Sequence, residues 1–237
     1  MRSTTAIVAA LAAATIATVP AASAAAAPPP TVRASQDLAT LATAHAVRAA
    51  PRAGAAVKSV VAAFRPITGS ATVLPVTGRR TSSGRRWLRV RLPGRPNSSQ
   101  GWIAQAGTSL RTTAWHLVVR ASTRRVIAYR SGRPVRSFSA IVGKPSTPSP
   151  RGRFFVEESI DMPPGAVGGP YALATSARSN VLQEFAGGPG QIGIHGVENL
   201  GGTPGTAVSH GCVRLTNAGI GWLVVRIRPG TPVTISA

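Results

Sequence analysis

Three features predict a mainly β chain built as two successive blocks. Glycine (25 residues) and proline (20) are abundant in the 237-residue sequence, a composition that favours many short strands and turns. Short apolar runs alternate with polar, turn-forming segments over most of its length. No internal repeat and no long amphipathic helix breaks that pattern. A hydrophobic content of 43% is enough to fill a real core at this length.

The N-terminal elements concern targeting. Arg2 precedes an apolar-to-neutral run from Ala6 to Val19, and Pro20 and Ala22-Ser23-Ala24 follow as a small-x-small cleavage pattern. The run is too short to span a bilayer, so residues 1–24 read as a secretory signal peptide. No later stretch is long enough to cross a membrane, and the mature chain is expected outside the cytoplasm without an integral membrane segment. Residues 25–56 read as a linker. AAAPPPTVRAS is a polyproline-like tether, and Leu38, Leu41, His45 and Val47 fall at roughly helical spacing until Pro51. That spacing predicts a short helix over 36–50 with His45 facing solvent.

Residues 57–110 change to short alternating strands at Val73–Val76, Trp87–Leu92 and Gly101–Ile103, separated by TGRRTSSGRR and PGRPNSSQ. The order WLRVRLPGRPNSSQGWI resembles bacterial SH3-like wall-binding domains, which implies a small N-terminal β-barrel with Trp87 and Trp102 in its core. Alternation places Arg89 and Arg91 on the solvent face opposite Leu88, Val90 and Leu92, in a short stretch that Arg79, Arg80, Arg85, Arg86 and Arg95 also crowd. A formal charge of +21, from 27 Lys+Arg against 6 Asp+Glu, draws the chain to polyanions. Export argues against nucleic acid and for anionic cell-wall polymers. This face is therefore expected to hold the protein on the wall without touching its chemistry. A solvated face that only maintains solubility is the competing expectation.

Residues 111–237 form the second block. Trp115–Val119, Val126–Tyr129 and Val135–Val142 read as an antiparallel meander joined by ASTRR and RSGRP. KPSTPSPRGRFFV leads through a proline-rich loop into a strand at Arg153–Val156. GGPYALATS, the glycine-rich AGGPGQIGIHG and a closing strand, GTPVTI, complete the block.

Chemistry concentrates at Ile194-His195-Gly196 and Ser209-His210-Gly211-Cys212-Val213-Arg214-Leu215. Cys212 is the only cysteine, so no internal disulfide forms. A thiol becomes a strong nucleophile on losing its proton, and a neighbouring imidazole can hold it as thiolate. His210 lies two residues before Cys212 and His195 seventeen residues upstream. The N–H groups of Gly211 and Cys212 offer an oxyanion hole. Glu198 is the one acidic residue near either histidine in sequence, so a backbone carbonyl is the expected orienter of the base. Three rival readings stand beside this one: a zinc site of His195, His210 and Cys212; an inert buried thiol among structural histidines; and a papain-like protease, against which the His-before-Cys order speaks.

H-G followed by S-H-G-C-V-R-L resembles the active-site signature of the L,D-transpeptidase family (YkuD-like catalytic domain). TPSPRGRF, GPYAL and GTPVTI fit the same pattern, and the similarity spans residues 112–237. The resemblance implies a β-sandwich catalytic domain acting on peptidoglycan stem peptides with no cofactor and no metal. It implies Cys212 as nucleophile, His195 as base and the Gly196 carbonyl as orienter of the imidazole. Ser209 and His210 would shape the oxyanion and substrate side, and Arg214 would lie near the donor peptide. Transfer to an amine makes a cross-link, transfer to water makes an L,D-carboxypeptidase, and a non-catalytic wall-binding protein is the alternative from another class.

Overall fold

The computed structural model describes residues 31–185 and 187–237. The signal-peptide reading of 1–24 and the start of the linker lie outside the described residues. Seventeen strands and one short helix are found among them, as the composition predicts. No described helix is long and apolar enough to cross a membrane.

The N-terminal part is a seven-stranded sheet of order β3-β2-β6-β5-β4-β1-β7. It comprises β1 (Gln36–Leu41), β2 (His45–Arg48), β3 (Val57–Val61), β4 (Val73–Ser82), β5 (Arg85–Arg91), β6 (Gln100–Ala104) and β7 (Thr108–Thr113). The helix expected over 36–50 is corrected: that segment is β1 and β2. Leu38 and Ala39 are buried together with Leu41, and β1 pairs on both sides, with β4 and with β7. Sheet pairing overrides the weak helical spacing. The N-terminal sheet thus begins at Gln36 rather than near residue 57. His45 is likewise buried, with its two ring nitrogens 2.8 Å from Thr43 O and 3.0 Å from Ala106 O.

TGRRTSSGRR is mostly strand. β4 runs to Ser82, and Ser83 and Gly84, both at positive φ, make the two-residue turn into β5. Ser131 and Gly132, also at positive φ, make a two-residue turn of the same kind between Arg130 and Arg133. Arg89 is exposed, as alternation requires, but Arg91 is buried and donates to Ser98 O at 3.2 Å. Burial, and then the charge of Arg153, lower its pKa. Arg91 therefore leaves the solvent-facing set.

The C-terminal part is an eight-stranded mixed sheet of order β10-β9-β8-β17-β12-β13-β14-β16. The meander β8 (Trp115–Arg120), β9 (Arg125–Arg130) and β10 (Arg133–Ser139) forms one edge. β17 (Pro232–Ser236) lies between β8 and β12 (Gly152–Asp161), and β13 (Tyr171–Arg178) carries the sheet on to β14 (Gln191–His195) and β16 (Val213–Arg214). β11 (Val142–Gly143) and β15 (Ala207–Ser209) pair separately. α1 (Asn217–Val224) is capped by Thr216, whose hydroxyl accepts from Gly219 N. Its Ile220 and Leu223 join the core of Leu117, Val156, Leu173 and Ile194.

β12 ties the two parts together. Phe154 packs in the C-terminal core and its neighbour Phe155 in the N-terminal core with Leu74 and Leu88. Successive residues of a strand face opposite ways, so one strand serves both cores. Beyond them, the buried carboxylates of Glu157 and Glu158 meet Arg65 from the N-terminal part, and Glu157 also meets Arg178 at 3.3 Å. Burial pushes the Glu157 carboxyl up, while Arg178 and Arg65 oppose that shift.

Candidate active site

The parallel pairing of β14 with β16 sets Ile194 beside Val213 and His195 beside Arg214. Seventeen residues of separation thereby collapse to adjacent strands. Cys212, His195, His210 and Arg214 line one cavity of about 540 Å³, whose apolar wall includes Val167, Leu182, Phe185, Ile192 and Leu200. The structure thus brings together four of the seven residues singled out in sequence.

His195 Nδ1 lies 2.8 Å from Gly196 O. With Nδ1–H donating to that carbonyl, Nε2 is the ring's lone-pair nitrogen. Gly196 has no room for a side chain, because a Cβ would sit 1.8 Å from Gly169 O. Glu198 does not orient the imidazole. Its carboxylate accepts from Gly165 N, and its carbonyl from Gly168 N. Burial lowers the His195 pKa, and Arg214 lowers it further, against the raising effect of the Gly196 and Gly168 backbone contacts.

The Cys212 sulfur accepts a hydrogen bond from Gly193 N at 3.4 Å, and Gln191 O lies 3.9 Å away as acceptor for the thiol proton. Burial pushes the thiol pKa up, with Gly193 N–H and Arg214 pulling weakly the other way. The sequence suggests a thiolate held by imidazole; burial works against that charge on both groups, raising the thiol pKa and lowering that of the imidazole. A buried apolar wall disfavours the charged form of each.

The turn before Cys212 is held from within. Ser209, fully buried, donates to Cys212 O at 2.6 Å and accepts from Gly211 N at 3.1 Å. Ser149 Oγ donates to Gly211 O at 2.7 Å, and Thr147 Oγ1 to Ser209 O at 3.3 Å. Gly211 sits at φ +121, where a Cβ would meet Ile192 Cδ1 at 3.0 Å. Two expectations change accordingly. Ser209 supports the turn and does not line the cavity. The Gly211 N–H is engaged by Ser209 Oγ, so it is not free for an oxyanion. The TPSP motif, read in sequence only as a strand entry, supplies Thr147 and Ser149 to this turn.

His210 is exposed and its ring stacks on Phe185, centroids 5.5 Å apart. Arg214 Nη1 donates to Gly201 O at 3.0 Å, and its buried Nε has no partner among the described residues. No group of three His, Cys, Asp or Glu side chains gathers in metal-binding geometry among the described residues. Sequence reasoning missed Gln191 and Gly193, whose backbone groups face the sulfur, and the wall residues Leu182 and Phe185. A thiol, an imidazole with one nitrogen fixed and an apolar wall are parts that acyl transfer through sulfur can use.

The sequence model of the L,D-transpeptidase catalytic domain (YkuD) matches residues 114–235. The chain belongs to this family. It is 29% identical over 143 residues to a putative L,D-transpeptidase YkuD of Bacillus licheniformis, covering 60% of this chain and 78% of that protein. The corresponding Bacillus subtilis protein is 29% identical over 125 residues, covering 53% and 68%. Among solved structures, an L,D-transpeptidase from Mycobacterium smegmatis is 17% identical with a TM-score of 0.41, covering 69% of this chain and 99% of that one.

Proposed function

We propose that this chain is an exported L,D-transpeptidase that cross-links peptidoglycan stem peptides through a thioester on Cys212. In the first step Cys212 Sγ attacks the carbonyl of the L,D-peptide bond in a tetrapeptide stem. His195 Nε2 takes the thiol proton and delivers it to the amine of the departing D-alanine, leaving a thioester. In the second step an amine of a neighbouring stem attacks the thioester. Its proton passes through His195 back to the sulfur, and a new amide bond is left.

The observation that carries this reading is that Cys212 and His195 line one apolar cavity, with His195 Nδ1 fixed on Gly196 O. That contact makes Nε2 the base. Burial that disfavours charge on both groups suits a reaction in which charge develops as the thiol attacks. The Cys212 N–H is the motif's backbone donor for the oxyanion, and the Arg214 guanidinium at the cavity edge offers a carboxylate partner. Apolar walls exclude water and so favour an amine acceptor over hydrolysis. Export follows from the N-terminal apolar run and from a substrate that lies outside the cytoplasm. The SH3-like block, through exposed Arg79, Arg80, Arg85, Arg86 and Arg89, adds attraction to anionic wall polymers that salt screens.

The test is to incubate the purified protein with tetrapeptide muropeptides and weigh the products. Cross-linked dimers with released D-alanine are expected. Tripeptides alone would make the enzyme a carboxypeptidase, and unchanged muropeptides would overturn the reading.

A further inference from the structure

The cavity beside Cys212 is walled on one side by the segment that follows β13. Residues 179–190 leave that strand and return to β14 with their ends bonded together, Ser179 N donating to Gly190 O at 2.8 Å. Leu182 and Phe185 from this segment line the cavity, and Phe185 stacks on His210. A loop of this length must be held in place for its side chains to form a defined surface.

Within the loop, Ser179 Oγ accepts from Val181 N and Leu182 N, and Phe185 pairs with Gly188; further contacts come from the other part of the molecule. Arg95, in the turn between β5 and β6, donates from Nη1 to Pro189 O at 2.9 Å. It donates from Nη2 to Ser179 O at 2.7 Å and Leu182 O at 3.2 Å. One guanidinium thus joins both arms of the loop. Two residues on, Asn97 donates from Nδ2 to Arg178 O at 2.7 Å and to Asn180 Oδ1 at 3.0 Å, and its Oδ1 accepts from Arg178 N at 2.9 Å. The amide therefore continues the edge of β13 as a backbone partner would. Gly190 leaves space for this arrangement: a Cβ there would meet Leu182 O at 2.0 Å and Arg95 Nη2 at 3.3 Å. The planar fork of arginine suits several carbonyls at once, which a lysine ammonium does not reproduce.

We propose that Arg95 and Asn97 are positioning residues for the cavity wall, so that the N-terminal sheet fixes how the site holds its donor peptide. The inference rests on the acyl-transfer reading and goes beyond it. It assigns the N-terminal sheet a part in substrate binding, where the sequence suggested a wall anchor standing apart from catalysis. The loop sets the wall and not the nucleophile, so the effect belongs in KM more than in kcat.

The experiment uses the full chain with Arg95→Ala, Arg95→Lys and Asn97→Ala, reading amide hydrogen exchange and steady-state kinetics with tetrapeptide muropeptides. For Arg95→Ala, exchange across residues 179–190 is expected to quicken by about tenfold or more, from loss of three carbonyl contacts. KM is expected to rise by a similar factor with kcat within about twofold, and exchange across 209–214 to stay unchanged. Asn97→Ala is expected to loosen the 178–180 end alone, and Arg95→Lys to recover part of the loss. Unchanged loop exchange in Arg95→Ala and Asn97→Ala overturns the proposal. Faster exchange with unchanged KM overturns its substrate part, and loosening of the whole N-terminal sheet reduces the pair to a folding role. The exchange measurement needs no turnover, so it decides the clamp even where an inactive wild type would sink the acyl-transfer reading.

Discussion

The turn that carries Cys212 and the loop that faces it across the cavity are built in opposite ways. The turn is bonded to its own neighbourhood: Ser209 spans it, and Ser149 and Thr147 brace it from the adjoining segment. The loop 179–190 is braced by Arg95, some ninety positions away in sequence and in another sheet. The proposed acyl transfer would require Cys212 to be placed to a fraction of an ångström, a demand that local bonds suit. Substrate reach tolerates adjustment, and a contact from another sheet can set it. The Cys212 turn is thus held by its own part of the chain, whereas the facing loop takes added support from the N-terminal part.

The largest expected effect breaks the reactive side. His195→Ala should slow acylation of Cys212 by about 10²–10⁴-fold, the usual worth of a general base, measured by single-turnover mass spectrometry. His210→Ala should be milder, because His210 contacts the wall residue Phe185 and not the sulfur. The reverse ordering would exchange their roles. Next comes the joint between the two sheets. Phe155→Ala should cost about 3–5 kcal/mol, as for a buried aromatic truncated in a packed core, read from chemical denaturation. A cost below about 1 kcal/mol would show that β12 does not bind the N-terminal core to the rest.

Ser149→Ala sharpens the comparison further. It strips the Gly211 carbonyl of its buried donor and should destabilise the chain by about 1–3 kcal/mol. Acylation should slow while hydrogen exchange across 179–190 stays as in the wild type. Faster exchange in the loop would mean that the two regions are not independently held.

A further effect, absent near neutral pH, is on acid stability. Burial, and then Arg153, lower the His116 pKa from 6.5 to about 4, with Thr234 Oγ1 as its neighbour at 2.8 Å. Below about pH 6.5 the unfolded chain takes up a proton that the folded chain resists, so this residue subtracts stability as pH falls towards 4. His195 acts in the same direction, whereas the raised Glu157 removes stability as pH rises above its unfolded range. The His116→Gln variant isolates the first contribution. Its melting temperature relative to wild type should improve as pH drops through that window, and a constant difference would remove His116 as the cause.

The legible part of this molecule is the part encoded locally. Period-two alternation at Trp87–Leu92 and the S-G turns point to the strand content, and the SHGCVRL segment points to the cavity that Cys212, His210 and Arg214 line. The misread helix over 36–50 shows the limit. Leu38, Leu41 and Val47 fit a helix face by spacing, yet partners far along the chain, Arg111 and Pro75 among those of β1, decide their conformation. Arg91 fails for the same reason, since alternation tells which side a residue faces but not what covers that side. Ser209 and Gly211 were placed correctly in the motif, but their hydrogen bonds turn inward, which spacing does not encode. Arg95 was visible only as one charge in a basic stretch, because its carbonyl partners become neighbours solely through the packing of two sheets.

Intact-mass spectrometry with a carbapenem, a strained β-lactam that acylates a nucleophile and stays attached, tests whether Cys212 is the acylated residue. The wild type should gain one adduct mass, peptide mapping should place it on Cys212, and Cys212→Ala should gain none. A mapped adduct that persists on the Cys212→Ala variant would put the acylated nucleophile elsewhere and contradict the account.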